Sequence, residues 1–315
     1  MTQQPNPSTW RGGTELIVRD RRFRWGERTL VMGILNVTPD SFSGDGLRAT
    51  AADVVAAAIE QARRFLDAGA DILDVGGEST RPGAAEVEPA EERARVIPVI
   101  TALRQQFDAP ISIDSWKADV VAAALDAGAD IINDVWGLRL PRGGWNDHLA
   151  RLAAERDAPI ILMHNRRAQA VTGPIGHYRQ ADYRDLLGDI IDDLRGSIQC
   201  ALDHGVRPER IIIDPGVGFG KTPAQNIELL RRLGELRALG YPILLGTSRK
   251  SFIGLALGGA PPEERVEGTA ATVALGIASG ADIVRVHDVA AMARVARVAD
   301  AIVRPGAWER LTGGQ

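Results

Sequence analysis

The chain has 315 residues, 45% hydrophobic and 25% charged, which describes an ordinary globular protein with room for one large domain and a full core. A formal net charge of −4 argues against a general nucleic-acid binder, and Cys200, the only cysteine, excludes an internal disulfide or a cysteine-rich metal site. Residues 1–13 are polar with no hydrophobic signal core, and no apolar run reaches membrane-spanning length, so a cytoplasmic protein with no membrane partner is expected.

In chain order, Leu16–Glu27 reads as a short hairpin turning at Asp20-Arg21. Eight apolar runs follow: Thr29–Leu35, Asp71–Val75, Pro110–Ile113, Ile131–Ile132, Ile160–Met163, Ile211–Ile213, Pro242–Leu245 and Asp282–Val286. Between them lie segments of helical period: Ala51–Ala68, Pro89–Phe107, Ala118–Ala127, His148–Arg156, Tyr183–Asp203, Pro223–Leu239, Pro262–Ala278 and Val289–Val303. Apolar runs alternating with helices predict buried parallel strands. Eight such units without a linker predict a closed (β/α)8 barrel of the TIM type, with the hairpin plugging its N-terminal end. Residues 1–14 are expected to form a flexible segment, 15–304 a single domain and 305–315 a tail. The repeats Ala68-Gly69-Ala70-Asp71-Ile72, Ala127-Gly128-Ala129-Asp130-Ile131 and Ser279-Gly280-Ala281-Asp282-Ile283 mark helix ends, where glycine turns left-handed and a strand begins at once.

Every apolar run ends in polar or glycine residues, the place where a barrel of this class builds its active site. Asp114 and Asp214 end two runs, and Asn133 follows a third. A carboxylate accepts two hydrogen bonds side by side, as the edge of a heterocycle with adjacent N–H groups requires, and an asparagine matches a mixed edge. Arg81, Lys250, Arg285 and His287 place cations at strand ends of an acidic chain, which points to an anionic substrate. His164 ends a strand, where it could line the site floor or be a satisfied core histidine, and the second reading is preferred. His148, His177 and His204 lack metal-ligand spacing and read as solvated positions. Gly216-Val217-Gly218-Phe219-Gly220-Lys221-Thr222 is not a phosphate-binding P-loop, because Pro215 stands where that pattern needs glycine. It reads instead as a tight turn that lets a flat ligand approach the backbone.

Five segments carry a family resemblance: Met32-Gly33-Ile34-Leu35-Asn36-Val37-Thr38-Pro39-Asp40-Ser41-Phe42-Ser43, Asp74-Val75-Gly76-Gly77-Glu78-Ser79-Thr80-Arg81-Pro82-Gly83, Asp214–Lys221, Thr247-Ser248-Arg249-Lys250-Ser251 and Arg285-Val286-His287. In this order the chain, from about Leu30 to His287, resembles the dihydropteroate synthases of folate biosynthesis, the targets of sulfonamides. The resemblance implies a (β/α)8 barrel that joins 6-hydroxymethyl-7,8-dihydropterin diphosphate to 4-aminobenzoate and releases pyrophosphate. It further implies that Asp214 and Asn133 hold the pterin edge, that Asp114 contacts the ring, and that Lys250 bonds the carbonyl side. Arg285 would stack on the ring and reach phosphate, with Arg81, Asn36 and His287 on the diphosphate and Asn36 helping to hold Mg²⁺. Asp114, Lys250 and Arg285 would carry the chemistry. Phe42, Thr80, Arg81, Pro82 and Ser251 would place the aminobenzoate, and a homodimer is implied. The chain departs from the family pattern at Gly44-Asp45-Gly46-Leu47, at Ser115, and in the loop Asn165-Arg166-Arg167-Ala168-Gln169-Ala170. The competing readings are a catalytically silent pterin-binding relative and a methyltetrahydrofolate-dependent methyltransferase domain.

Overall fold

The computed structural model describes residues 11–37, 50–79, 86–173 and 177–313. It opens on a hairpin, β1 (Glu15–Val18) and β2 (Arg21–Arg24), in which Val18 pairs with Arg21. The turn is therefore Arg19-Asp20, one residue earlier than expected, and Arg19 takes the left-handed conformation there (φ 54°). The first barrel strand, β3 (Leu30–Asn36), leads to α1 (Ala51–Asp67), then β4 (Ile72–Gly76) and α2 (Pro89–Gln106). There follow β5 (Ile111–Asp114), α3 (Ala118–Asp126), β6 (Ile131–Asp134), α4 (Asp147–Glu155) and β7 (Ile160–Met163). A small antiparallel pair, β8 (Val171–Thr172) with β9 (Tyr178–Gln180), decorates the next loop before α5 (Leu186–Asp203). The rest is β10 (Ile211–Asp214), α6 (Pro223–Arg231), β11 (Leu244–Leu245), α7 (Ser251–Ala256), α8 (Val266–Ala278), β12 (Ile283–Val286), α9 (Val289–Val303) and α10 (Ala307–Thr312).

The barrel strands pair in parallel in the order β10-β7-β6-β5-β4-β3-β12-β11. A parallel bridge from Ile213 to Ile243, with the Ile213 N–H on the Pro242 carbonyl at 2.9 Å, joins the two ends and closes the ring. Eight strands and intervening helices make the (β/α)8 barrel predicted from the alternation. Some helices differ in extent. The expected Pro223–Leu239 helix gives way at Arg232 to a 3-10 segment, Leu233–Leu239. The expected Pro262–Ala278 helix begins only at Val266, after a 3-10 turn over Pro262–Glu264. The short α7 was not expected. Residues 305–315, read as a tail, instead contain α10, with Ala307 buried.

Each strand has two faces, and the alternation sorts the sequence. Outward residues such as Leu73, Val75, Ile111, Ile113 and Ile132 join the core under the helices. Inward residues at the N-terminal ends, among them Leu30, Met32, Ile72, Ile131, Ile161, Ile212, Leu244 and Ile283, cluster inside the barrel with Leu16, Val18 and Phe23 of the hairpin. The hairpin thus plugs the bottom of the barrel. Toward the C-terminal ends the same inward parity selects Asp74, Asp114, Asn133, Asp214 and Arg285. One barrel interior therefore has an apolar floor and a polar rim.

The glycine repeats do more than end helices. Gly69, Gly128 and Gly280 have φ near +100° (100°, 109° and 103°), a conformation that side chains rarely adopt. In each, the residue after the glycine bonds back to the helix, as Ala70 N–H does to Phe65 at 2.9 Å. The aspartate that follows then accepts from the backbone of the neighbouring strand: Asp71 from Val31 N–H at 2.9 Å, Asp130 from Ile111 at 2.9 Å and Asp282 from Ile243 at 3.0 Å. These carboxylates stitch adjacent strands together at the end away from the rim.

Candidate active site

The rim is organised around a guanidinium held by two carboxylates. Arg285 on β12 donates from Nε to Asp74 Oδ2 at 2.6 Å and from Nη2 to Asp114 Oδ2 at 2.6 Å. Asp74 is fully buried, and Asn133 Nδ2 lies 3.3 Å from both of its oxygens. The register places Asn36 beside Gly76, Gly76 beside Asp114 and Asp114 beside Asn133, so these side chains share one level of the rim. Bonded on one edge, the Arg285 guanidinium is fixed in orientation while keeping other N–H donors for a ligand. The two aspartates hold its pKa well above the ordinary arginine value even against burial. Burial pushes the Asp114 carboxyl up, an effect that Arg285 opposes and Asp74 reinforces.

Across the rim, Asp214 ends β10. Its Oδ1 accepts from Gly216 N–H at 2.7 Å, and burial raises its pKa to about 6. Lys250 lies in the turn before α7, with Nζ 4.3 Å from the centre of the Phe219 ring. Burial lowers its pKa to about 8, against the pull of Asp214. Val135, Trp136, Met163 and Phe219 form an apolar cluster, with Trp116 against it. A carboxylate, a cation and an aromatic wall in one recess suit a flat heteroaromatic ligand bearing hydrogen-bond donors.

His287 departs from expectation. Its ring Nδ1 lies 3.0 Å from Ser248 Oγ, and burial together with Arg285 and Arg249 lowers its pKa to about 3. In the free protein it is a neutral hydrogen-bonding group and not a fourth cation. Ser251 opens α7 immediately after Lys250. Asn36, half-buried, ends β3 at the rim. Phe42, Thr80, Arg81 and Pro82 lie outside the described residues, as does Gly44–Leu47. On either side of 80–85, the Lys117 ammonium binds Glu78, the Val87 carbonyl at 2.6 Å and Glu92 at 2.6 Å.

His164 is a satisfied core histidine as read, 3% exposed and hydrogen-bonded at both ring nitrogens. His204 sits at the C-terminal end of α5, its Nδ1 2.8 Å from the Cys200 carbonyl, on the outside of the barrel. Asp134 points away from the rim and accepts from the N–H groups of Trp136 at 2.8 Å and Leu138 at 2.6 Å, which shapes the turn after β6. The divergent loop supplies Asn165, whose Nδ2 bonds the Val135 carbonyl at 2.8 Å, and Arg167, stacked over Trp136 at 4.6 Å. Two rim residues escaped the sequence reading as individuals. Asp74 stands inside an apolar run, and only its shared parity with Ile72 marks it as inward. Phe219 was seen as part of a glycine-rich turn, not as a wall.

Comparison with known proteins gives this geometry a family. Residues 32–287 match the model of the pterin binding enzymes. The chain is 49% identical over 288 residues to the dihydropteroate synthase of Clostridium beijerinckii, covering 91% of this chain and 99% of that protein. To the Bacillus subtilis dihydropteroate synthase it is 49% identical over 280 residues, 89% of this chain and 90% of the relative. Among solved structures, the Clostridium difficile dihydropteroate synthase in the presence of pteroic acid superposes with a TM-score of 0.79 at 50% identity, covering 90% and 99% of the two chains. The Xanthomonas albilineans dihydropteroate synthase with 4-aminobenzoic acid gives 0.81 at 40% identity, over 92% and 98%. The chain belongs to the pterin-binding enzyme family and, within it, to the dihydropteroate synthases.

Proposed function

We infer that the chain condenses 6-hydroxymethyl-7,8-dihydropterin diphosphate with 4-aminobenzoate to give 7,8-dihydropteroate and pyrophosphate. The relatives' names carry the reaction, and the clamped Arg285 between Asp74 and Asp114, facing Asp214 and Lys250, is the observation that fits it to this chain. The exocyclic C–O bond breaks first, its electron pair leaving with the diphosphate, and a resonance-stabilised pterin cation remains. The neutral amine of the aminobenzoate then attacks the methylene carbon and loses a proton. An aniline needs no activating base to be nucleophilic, so the protein's contribution is positioning and charge.

In this reading Asp214, ionised, accepts two N–H donors of the pterin edge, and Asn133 meets the adjacent edge. Lys250 donates to the pterin carbonyl side while packed on Phe219. Asp114 lies against the ring and offsets its developing positive charge. Arg285 covers the ring and reaches the diphosphate, where His287, Asn36 and Arg81 add donors. Ser251, at the start of α7, places the aminobenzoate with Phe42, Thr80 and Pro82. The side-chain oxygen of Asn36, half-buried at a rim without thiolates, fits a hard cation that takes most of its ligands from water and substrate phosphates. Mg²⁺ bound there would neutralise charge on the leaving pyrophosphate. Exposed Leu275, Val298 and Ile302 on α8 and α9, with Trp308 on α10, support a homodimer through these helices. No helix among the described residues is long and apolar enough to cross a membrane, which is compatible with a cytoplasmic enzyme.

Asp214→Asn tests the central assignment, because an amide cannot accept both donors. Calorimetry with the dihydropterin diphosphate should show affinity falling by roughly two orders of magnitude, the cost of one charge-assisted hydrogen bond. Unchanged affinity would remove Asp214 from the pterin site.

A further inference from the structure

The turn after β10 carries a buried lysine to which the reaction gives no part. Lys221 is 1% exposed. Its Nζ lies 2.9 Å from the Gly216 carbonyl, 3.1 Å from the Phe219 carbonyl and 2.9 Å from His164 Nδ1. A protonated amine has three donors, and here each meets one acceptor. That arrangement requires His164 Nδ1 to accept and places the ring proton on Nε2, which faces Asp193 Oδ2 at 3.2 Å. Arg166 Nε holds the same carboxylate oxygen at 2.7 Å, and its guanidinium stacks over Tyr183 at 4.8 Å. Tyr183 in turn donates to the Gly220 carbonyl at 2.9 Å. The interactions run from Lys221 through His164, Asp193, Arg166 and Tyr183 back to the same turn.

Burying an ammonium is costly, and a methionine would fill the space without that cost. Burial accordingly pulls the Lys221 pKa well below its ordinary value. What the amine supplies in return is geometry. The two carbonyls it gathers bracket Val217-Gly218. At one end of that bracket Gly216 N–H holds Asp214, and at the other the Phe219 ring carries Lys250. Gly216 has φ +66°, and a Cβ there would lie 1.8 Å from the His164 carbonyl oxygen, so the turn is seated directly on the chain that Lys221 grips.

We propose that Lys221 is a positioning residue for the pterin pocket, holding the Gly216–Phe219 turn so that the Asp214 carboxylate and the Phe219–Lys250 pair face one ligand. His164 is its third acceptor, and the Asp193–Arg166 pair keeps that histidine in the accepting tautomer. The proposal rests on reading Asp214 as the pterin acceptor.

Lys221→Met and His164→Phe, made in the full chain, test it through hydrogen exchange over residues 215–222, calorimetry with dihydropterin diphosphate, and the aminobenzoate KM at saturating pterin. The expected result is faster exchange in the turn and about tenfold weaker pterin binding, with the aminobenzoate KM little changed. His164→Gln, which restores an accepting oxygen, should recover most of the affinity lost in His164→Phe. A lower melting temperature with wild-type pterin affinity in the folded fraction would overturn the proposal, as would equal weakening toward both substrates. Should Lys221→Met not fold, the two His164 variants decide: wild-type affinity in His164→Phe overturns it. Asp214→Asn is the control, since retained pterin binding there faults the site reading, while exchange in the turn still reports what Lys221 holds.

Discussion

Arg285 shows how a single side chain acquires its role from two others. A guanidinium free to rotate would offer a diphosphate only a diffuse charge; clamped by Asp74 and Asp114, Arg285 would meet the proposed ligand in one orientation. The titrating residues around it predict a pH profile. In the proposed reading pterin binding needs Asp214 ionised, so kcat/KM should rise as pH increases through about 6. It needs Lys250 protonated, so kcat/KM should fall as pH passes about 8. Asp114, pushed up to about 7 by burial, must ionise as well, so a bell with its acid limb between about 6 and 7 and its alkaline limb near 8 is the expected outcome, and Lys250→Met should erase the alkaline limb. The stability sign is opposite on the acid side. Asp214 has a folded-state pKa above its unfolded value, so its protonation favours the folded state below about pH 4, and that contribution is lost as pH rises through about 6. Asp114, Asn133, Asp214 and Arg285 were legible in the sequence because they interrupt or terminate apolar runs, and Lys250 because it stands in the polar segment that follows one. Asp74 was not, since its partner stands 211 residues away and only the closed barrel brings the two together. The neutral state of His287 was equally hidden, because it comes from burial beside Arg285.

At the scale of elements, strands and helices were legible wherever burial is one-sided or complete. The differences have local causes. Asp185 accepts from Gly188 N–H at 3.2 Å and starts α5 three residues later than the apolar period suggested. The α7 helix has six residues, too few to show a period. Thr222 caps α6, accepting from Gln225 N–H at 3.3 Å with Pro223 in the first turn. The glycine repeats revealed helix ends, but the role of the aspartate in each became visible only once neighbouring strands were known. Asp130 accepts from Ile111 N–H and from Arg104, whose guanidinium also serves the carbonyls of Gly128 and Phe107. Asp130→Ala should therefore lower stability by about 2 kcal/mol, chiefly by stranding the Ile111 N–H. Denaturant unfolding measures this, and kcat should stay at the wild-type value because the stitch lies at the end of the barrel remote from the rim.

For the molecule as a whole, closure of the barrel divides labour between its ends. The hairpin and the apolar floor fill one end, and the rim holds buried charges paired with one another, as Arg285 is with Asp74 and Asp114. The barrel itself was legible from eight alternating units, whereas its outer surface was not, because exposure depends on which helix faces survive packing. Ile302, Leu275 and Val298 stay exposed at 78%, 68% and 60% on neighbouring helices. In the proposed homodimer, this apolar surface on α8 and α9 is the association face. Leu275→Glu with Ile302→Glu should convert a dimer to a monomer in light scattering, and an unchanged mass would place the interface elsewhere.

The central claim is that the rim performs the condensation and does not merely hold a pterin. Purified protein given dihydropterin diphosphate, Mg²⁺ and 4-aminobenzoate should release pyrophosphate in step with dihydropteroate, and omission of any one should stop product formation. Pterin binding without pyrophosphate release under these conditions would contradict it.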